Sequence, residues 1–347
     1  MQYVVIIYLC LAIWLYLLLG GADFGAGIME LFTRSKNRSA ARQTMSHAIG
    51  PIWEANHMWL IIAVVILFVG FPRIYGVMSV SLHIPLVVML LGIIARGTAF
   101  VFRHYDAVKD RMQMLYNRIF ALSSAVTPFF LGVIAASVLA GYVNPAATDF
   151  LTAYVWSWLH WFAVAVGAFT VALCGFLASV YSIGETHNEA DKRYFIRKTR
   201  TMTIITFLAG ALVFVAAGFE GIPLGPWIFG NWVGSSAVGL ATLSLGGLFY
   251  AVSRGHTVLP RLLAGFQVTM ILLAIGYRHF PDFVVLRHGS NLSLLRDQAP
   301  AATMQALGWA LLLGSIFILP ALYYLYYSFQ HEAEEVAEGT TIAAVRK

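Results

Sequence analysis

The stretch "GPIWEANHMWLI", residues 50–61, runs without a break into "IAVVILFVGF", residues 62–71. The second half is apolar throughout, and the first half carries Glu54, Asn56 and His57. In a soluble protein this would be a core helix with a polar start. In a membrane protein it is a span with three costly groups at one end, and those groups then mark a site. The composition of the whole chain decides between the two.

Of 347 residues, 60% are hydrophobic and 11% are charged, against about 25% charged in ordinary soluble domains. The apolar residues fall into blocks of about 20 or more, enough to cross a hydrocarbon layer about 30 Å thick at about 1.5 Å per residue. Nine blocks are expected to span, at 3–30, 49–71, 75–102, 119–141, 153–182, 202–222, 232–253, 260–280 and 304–328. The chain is therefore read as an all-α polytopic membrane protein, with a single transmembrane domain of nine helices over 1–330 and a cytoplasmic C-terminal tail at 331–347. Residues 1–30 lack a basic leading region and enter the first span directly, so no cleavable signal is expected.

Lys and Arg fall unevenly between the two sides. If the N-terminus is outside, the inner connections and tail collect Arg34, Lys36, Arg38, Arg42, Arg103, Lys109, Arg111, Arg118, Lys192, Arg193, Arg197, Lys198, Arg200, Arg254, Arg261, Arg346 and Lys347. The outer connections hold Arg73, Arg278, Arg287 and Arg296, and Arg96 lies within a span. This asymmetry predicts an outside N-terminus and a cytoplasmic C-terminus in a multi-pass cytoplasmic membrane. The net charge of +6 then follows from topology. No Gly-rich phosphate loop or nucleic-acid-binding motif accompanies it, and no nucleic-acid partner is expected.

Cys10 and Cys174 both lie inside spans and far apart in sequence, which gives neither a disulfide framework nor a metal-binding pair. They read as packing residues. The acidic "HEAEEVAEG", residues 331–339, reads as a solvated end.

A carboxylate at mid-membrane costs about 2.5–3.5 kcal/mol on insertion scales, so it faces a partner or water. Asp23 lies in "GGADFGAG", residues 20–27, where four glycines in eight residues admit a close neighbour. It reads either as an acid held at a tight contact or as an interfacial acid paired with the nearby basic loop. Glu54 and His57 are three apart on a helix and share a face, with Trp53 beside them. Glu-x-x-His is also the ligand pair of four-helix di-iron sites, but the chain has no second copy. A proton relay or a cofactor-facing acid fits better, and the alternative is a buried pair between Glu54 and Arg96. His83 and His160 are each capable of ligating a haem, although His160, among Trp156, Trp158 and Trp161, also suits an interfacial aromatic belt. No metal site is expected in this chain.

Five segments occur together in an informative order: "GADFGAG" (21–27), "GPIWEANHMWLI" (50–61), "PRIYG" (72–76), "ARGTAFVFR" (95–103) and "PFFLGV" (128–133). In order and spacing they resemble subunit II of cytochrome bd-type quinol oxidases. The motifs cover roughly residues 18–135, and Pro51, Trp53, Asn56 and Trp59 recur at the family's spacing. The resemblance implies two four-helix bundles plus one peripheral helix. It implies a heterodimer with a subunit I that carries haem b and haem d, with none ligated by this chain, and in some members a small accessory subunit. The substrates of such a complex are quinol and oxygen, with protons drawn from the cytoplasm.

On this resemblance Trp53 and Glu54 occupy the family's Trp-Asp pair, Asn56 its asparagine, Arg96 its membrane arginine, and Asp23 the second acid of its opening motif. Glu54 and Asp23 are then candidate proton-delivery acids, and Trp53, Asn56, His57 and Arg96 candidate haem-facing or interface residues. The chain departs from the family at Gly20, Glu54, Ala55, His57, Val101 and Asn117, so an acid route through Gly20, Val101 and Asn117 is not available to it. The competing reading is a transporter with a polar site around Glu54 and Asp23.

Overall fold

The computed structural model describes residues 1–33, 53–105, 111–184 and 189–345. In lipid every backbone N–H and C=O needs an internal partner, which leaves long apolar runs little choice but helix. The first span begins as α1 (Gln2–Leu15), passes through a π-helical turn at Tyr16–Gly20, and continues as α2 (Gly21–Leu31). Then come α3 (Trp53–Gly70), α4 (Pro72–Ser81), α5 (His83–Tyr105), α6 (Arg111–Leu139), the short α7 (Phe150–Tyr154) and α8 (Trp161–Ile183). The second half holds α9 (Glu189–Phe219), the short α10 (Leu224–Phe229), α11 (Trp232–Ser253) and α12 (Val258–His279). Strands β1 (Asp282–Val284) and β2 (Leu292–Ser293) pair antiparallel before α13 (Ala301–Val345).

Among the described residues eight helices are long and apolar enough to span a membrane, and the bent pair α3–α4 brings the number to nine. The first span, α3, α5 and α6 form one bundle, and α8, α9, α11 and α12 form a second; α13 lies outside them against α1 and α3. The bundles meet where α8 packs on α2 and α6. One core cluster, including Leu9, Ile66, Phe71, Leu82 and Val284, fills the first bundle. Another, including Met29, Leu177, Phe195, Met202 and Val268, fills the second.

Several expected boundaries are corrected. The third block was expected over 75–102, but α4 is a separate helix bent by 114° from the end of α3, and the span proper starts at His83. Phe71 sits at φ −136° and ψ 58°, outside the helical region, and Pro72 follows at the helix start, where its missing N–H costs nothing. The fifth block was expected from 153, but Asp149 caps the short α7 through Thr152 N at 2.8 Å, and the span begins at Trp161 after the His160 cap. The sixth, expected from 202, starts at Glu189, because basic side chains do not stop a helix in the headgroup layer. The ninth, expected to end at 328, is helical through Val345.

At the opposite ends of these helices cations satisfy final carbonyls. Lys198 Nζ donates to Phe32 O at 2.6 Å just past α2, and Arg261 Nη2 donates to Tyr181 O at 2.9 Å near the end of α8. Both contacts supply partners to groups that a helix end leaves open.

Candidate functional site

Asp23 stands on the first turn of α2, immediately after the π-helical turn. Such a turn shifts the register of everything after it, and Gly20 and Gly21 at its end leave the backbone uncrowded. Asp23 and Arg96 of α5 are each 1% exposed. Arg96 Nη2 donates to Asp23 Oδ1 at 2.6 Å and to the Asp23 carbonyl at 3.1 Å, and its Nε donates to Ser124 Oγ at 3.0 Å. The guanidinium carbon lies 5.0 Å from the ring centres of both Phe24 and Phe120. A charge that cannot reach water is thus held by an opposite charge, a hydroxyl and two ring faces.

A second pair repeats the arrangement. Arg103 Nη1 donates to Glu30 Oε2 at 3.1 Å, with both side chains nearly buried. Glu30 follows Asp23 by seven residues on α2, and Arg103 follows Arg96 by seven on α5. Seven residues are about two helical turns, so each helix presents its two charges on one face. Phe120 lies between the rungs, 4.3 Å from the Arg103 guanidinium carbon. The sequence reading counted Arg103 as a loop cation and passed over Glu30. The matching spacing of Asp23 to Glu30 and Arg96 to Arg103 is the signal that could have found them.

The start of α3 packs against the same region. The His57 ring centre lies 6.3 Å from that of Tyr16 and 6.0 Å from that of Phe24. Asn56 is 2% exposed. Three buried oxygens, Tyr16 Oη, Asp23 Oδ2 and Asn56 Oδ1, make no hydrogen bond among the described residues. Trp53 and Glu54 begin α3, but their side chains lie outside the described residues, as do 34–52, which carry the loop cations once expected near Asp23. The structure therefore brings Asp23 and Arg96 together with His57 packed on the adjoining Phe24, and Asn56 is buried one residue before His57 on α3. Among the described residues the carboxylate that pairs with Arg96 is Asp23; the alternatives that paired Asp23 with the basic loop and Glu54 with Arg96 lie outside the described residues.

His83 and His160 are elsewhere. His83 Nδ1 lies 2.9 Å from Val80 O. His160 caps α8, with Nδ1 3.3 Å from Ala163 N and 3.2 Å from Glu220 Oε2. Glu220, which the sequence reading did not single out, also accepts from Trp161 N at 2.6 Å and from Phe162 N at 3.2 Å. Burial pushes the His160 ring below its ordinary pKa, with the Glu220 carboxylate opposing that shift. Among the described residues no three His, Cys, Asp or Glu side chains gather as a group able to hold a metal.

Comparison with known proteins extends the match beyond the motif-bearing region. The sequence pattern of the family described as "Cytochrome bd terminal oxidase subunit II" matches residues 1–329. A Bacillus subtilis protein named "Cytochrome bd ubiquinol oxidase subunit 2" is 29% identical over 185 residues, 51% of this chain and 52% of that one. The Escherichia coli K12 "Cytochrome bd-I ubiquinol oxidase subunit 2" is 24% identical over 209 residues, 58% of this chain and 53% of that one. The matched part thus spans about half the length of these curated relatives. In the solved bd oxidase of Geobacillus thermodenitrificans, one chain superposes with a TM-score of 0.73 at 19% identity, covering 94% of this chain and 98% of that chain. That likeness is one of fold.

Proposed function

The chain belongs to the cytochrome bd terminal oxidase subunit II family, and from that premise we propose that it is the second subunit of a membrane quinol oxidase, packed against a haem-bearing subunit I as a heterodimer. In this reading the complex oxidises quinol and reduces oxygen to water. Haem b and haem d belong to subunit I, and this chain ligates neither. The N-terminus faces outside and the C-terminal tail at 331–347 faces the cytoplasm, which the distribution of Lys and Arg supports.

The observation that carries the reading is the buried Asp23–Arg96 pair, with His57 of α3 packed on the neighbouring Phe24. A charged centre of this kind is retained in a membrane interior when it serves a site. Asp23 neutralises Arg96 and keeps the guanidinium fixed between Phe24 and Phe120. Glu54, with Trp53 beside it, carries protons from the cytoplasmic side, and Asn56 and His57 supply hydrogen-bonding groups along that path.

The two acids have separable tests. Glu54→Gln keeps size and hydrogen bonding but cannot titrate, whereas Glu54→Asp restores the family's residue. The Gln variant is expected to assemble with near-normal haem content and lose most quinol-dependent oxygen uptake, while the Asp variant keeps a large part of it. Asp23→Ala strands a buried guanidinium at a cost of about 3–5 kcal/mol, and its expected effect is loss of assembled complex. Full oxygen uptake in the Gln variant would sink the proton role. Normal assembly of Asp23→Ala would sink the counter-charge role.

A further inference from the structure

Helix α9 runs for 31 residues, about 46 Å at 1.5 Å per residue, against a hydrocarbon layer about 30 Å thick. It therefore extends well into a headgroup layer, and its polar end is the N-terminal one. There Arg193, Arg197 and Arg200 are exposed, four and three residues apart, which sets them on one face. The same face continues as apolar surface through Ile204, Phe207 and Leu208, which are 60%, 74% and 62% exposed. The opposite face, with Phe195, Thr199 and Met202, is buried against the second bundle.

Lys198 is turned inward to cap α2 and adds nothing to the exposed face. The side chains of Arg197 and Arg200 make no hydrogen bond or ion pair among the described residues. Residues 189–200 contain Glu189 and Asp191 against Lys192, Arg193, Arg197, Lys198 and Arg200, so positive charge is in excess there. One stripe thus offers guanidinium groups at headgroup depth and, directly below them, an apolar track at acyl-chain depth.

We propose that the Arg197–Arg200 face of α9 binds an anionic phospholipid, whose phosphate is held by these two arginines and whose acyl chain lies along Ile204, Phe207 and Leu208. Guanidinium groups pair with phosphate oxygens through charge-assisted hydrogen bonds. A soluble polyanion would match the arginines and leave the apolar track unused, and a zwitterionic lipid would match the track and leave the positive excess uncompensated. The inference goes beyond the oxidase role and does not depend on which leaflet α9 begins in.

The test uses the intact detergent-solubilised complex, titrated with phosphatidylglycerol or phosphatidylcholine, with lipid retention read by native mass spectrometry and stability by Tm. Phosphatidylglycerol is expected to be retained and to raise Tm, and phosphatidylcholine is not. The double variant Arg197→Gln, Arg200→Gln is expected to retain phosphatidylglycerol roughly 30-fold more weakly, from about 1 kcal/mol per basic residue near an anionic headgroup. Arg287→Gln, which removes an exposed cation on another part of the molecule, is expected to behave as wild type. Equal responses to the two lipids, or an unchanged response in the double variant, would overturn the proposal. Loss of the partner subunit from the double variant before any lipid is added would mark the face as a protein contact and overturn it as well.

Discussion

His160 holds the first turn of α8 in two mutually exclusive ways. With Nδ1 bare the ring accepts from Ala163 N at 3.3 Å, whereas with Nδ1 protonated, as in the imidazolium, it donates from the same atom to Glu220 Oε2 at 3.2 Å. The ring stacks on Tyr142 at 4.3 Å between centres, and its buried Nε2 makes no hydrogen bond among the described residues. Burial holds its pKa below the ordinary 6.5, against the pull of Glu220. The folded state then binds fewer protons than the unfolded one in the window below 6.5, so stability is full above that pH and falls as pH drops through the folded pKa. His160→Asn keeps an N-cap acceptor that does not titrate. The wild-type Tm is expected to fall more steeply than the variant's on acidification from pH 7.5. Parallel Tm profiles would refute this.

Helices α2, α6 and α8 owe their contact to missing side chains. A methyl group built on Gly25 of α2 would overlap the Cys174 carbonyl of α8, and one on Gly27 would overlap Ser124 of α6. Ser124 is the residue that accepts from Arg96 while donating to Phe120 O at 2.6 Å, so the close approach at Gly27 also positions the charged pair. Helix association in lipid relies on such packing because apolar burial gives no advantage over lipid tails. Gly25→Ala must push backbone against backbone, at an expected cost of about 1–3 kcal/mol. Gly76→Ala on α4, where nothing lies within 4 Å, should be neutral. The comparison is read as Tm and yield of purified chain, and equal values for the two variants would contradict the close-packing account.

Across the whole molecule, the segment between α12 and α13 ties the helix ends of one side together. Val285 N donates to Val138 O at 2.7 Å, Arg287 N to Val143 O at 2.9 Å and Ala299 N to Gly70 O at 2.8 Å. Arg73 of α4 reaches Asp297 at 2.6 Å. This side carries few cations, while the other carries the clusters of α9 and the loop after α11. With the orientation proposed above, a cysteine at exposed Thr148 lies outside and one at exposed Ser253 lies in the cytoplasm. In intact cells an impermeant thiol reagent is expected to label Thr148→Cys and to spare Ser253→Cys. The reverse pattern would invert the topology.

The sequence by itself determined the membrane class, the approximate positions of the spans and the small set of polar residues worth attention. These were legible because insertion energy is local and nearly additive along the chain, so hydropathy and charge report it directly. Asp23, Asn56, His57 and Arg96 were singled out this way. What only the tertiary structure decided was partnership. Arg96 faces Asp23, 73 residues away, and Arg103 faces Glu30 at the same separation. Glu220 meets His160 across 60 residues, and α4, bent by 114° from α3, is a separate helix although hydropathy joins most of it to the span that follows. Each depends on helix register, crossing geometry and one local backbone break. Composition is insensitive to all three, because the same residues on helices rotated by a fraction of a turn would present their charges to different neighbours.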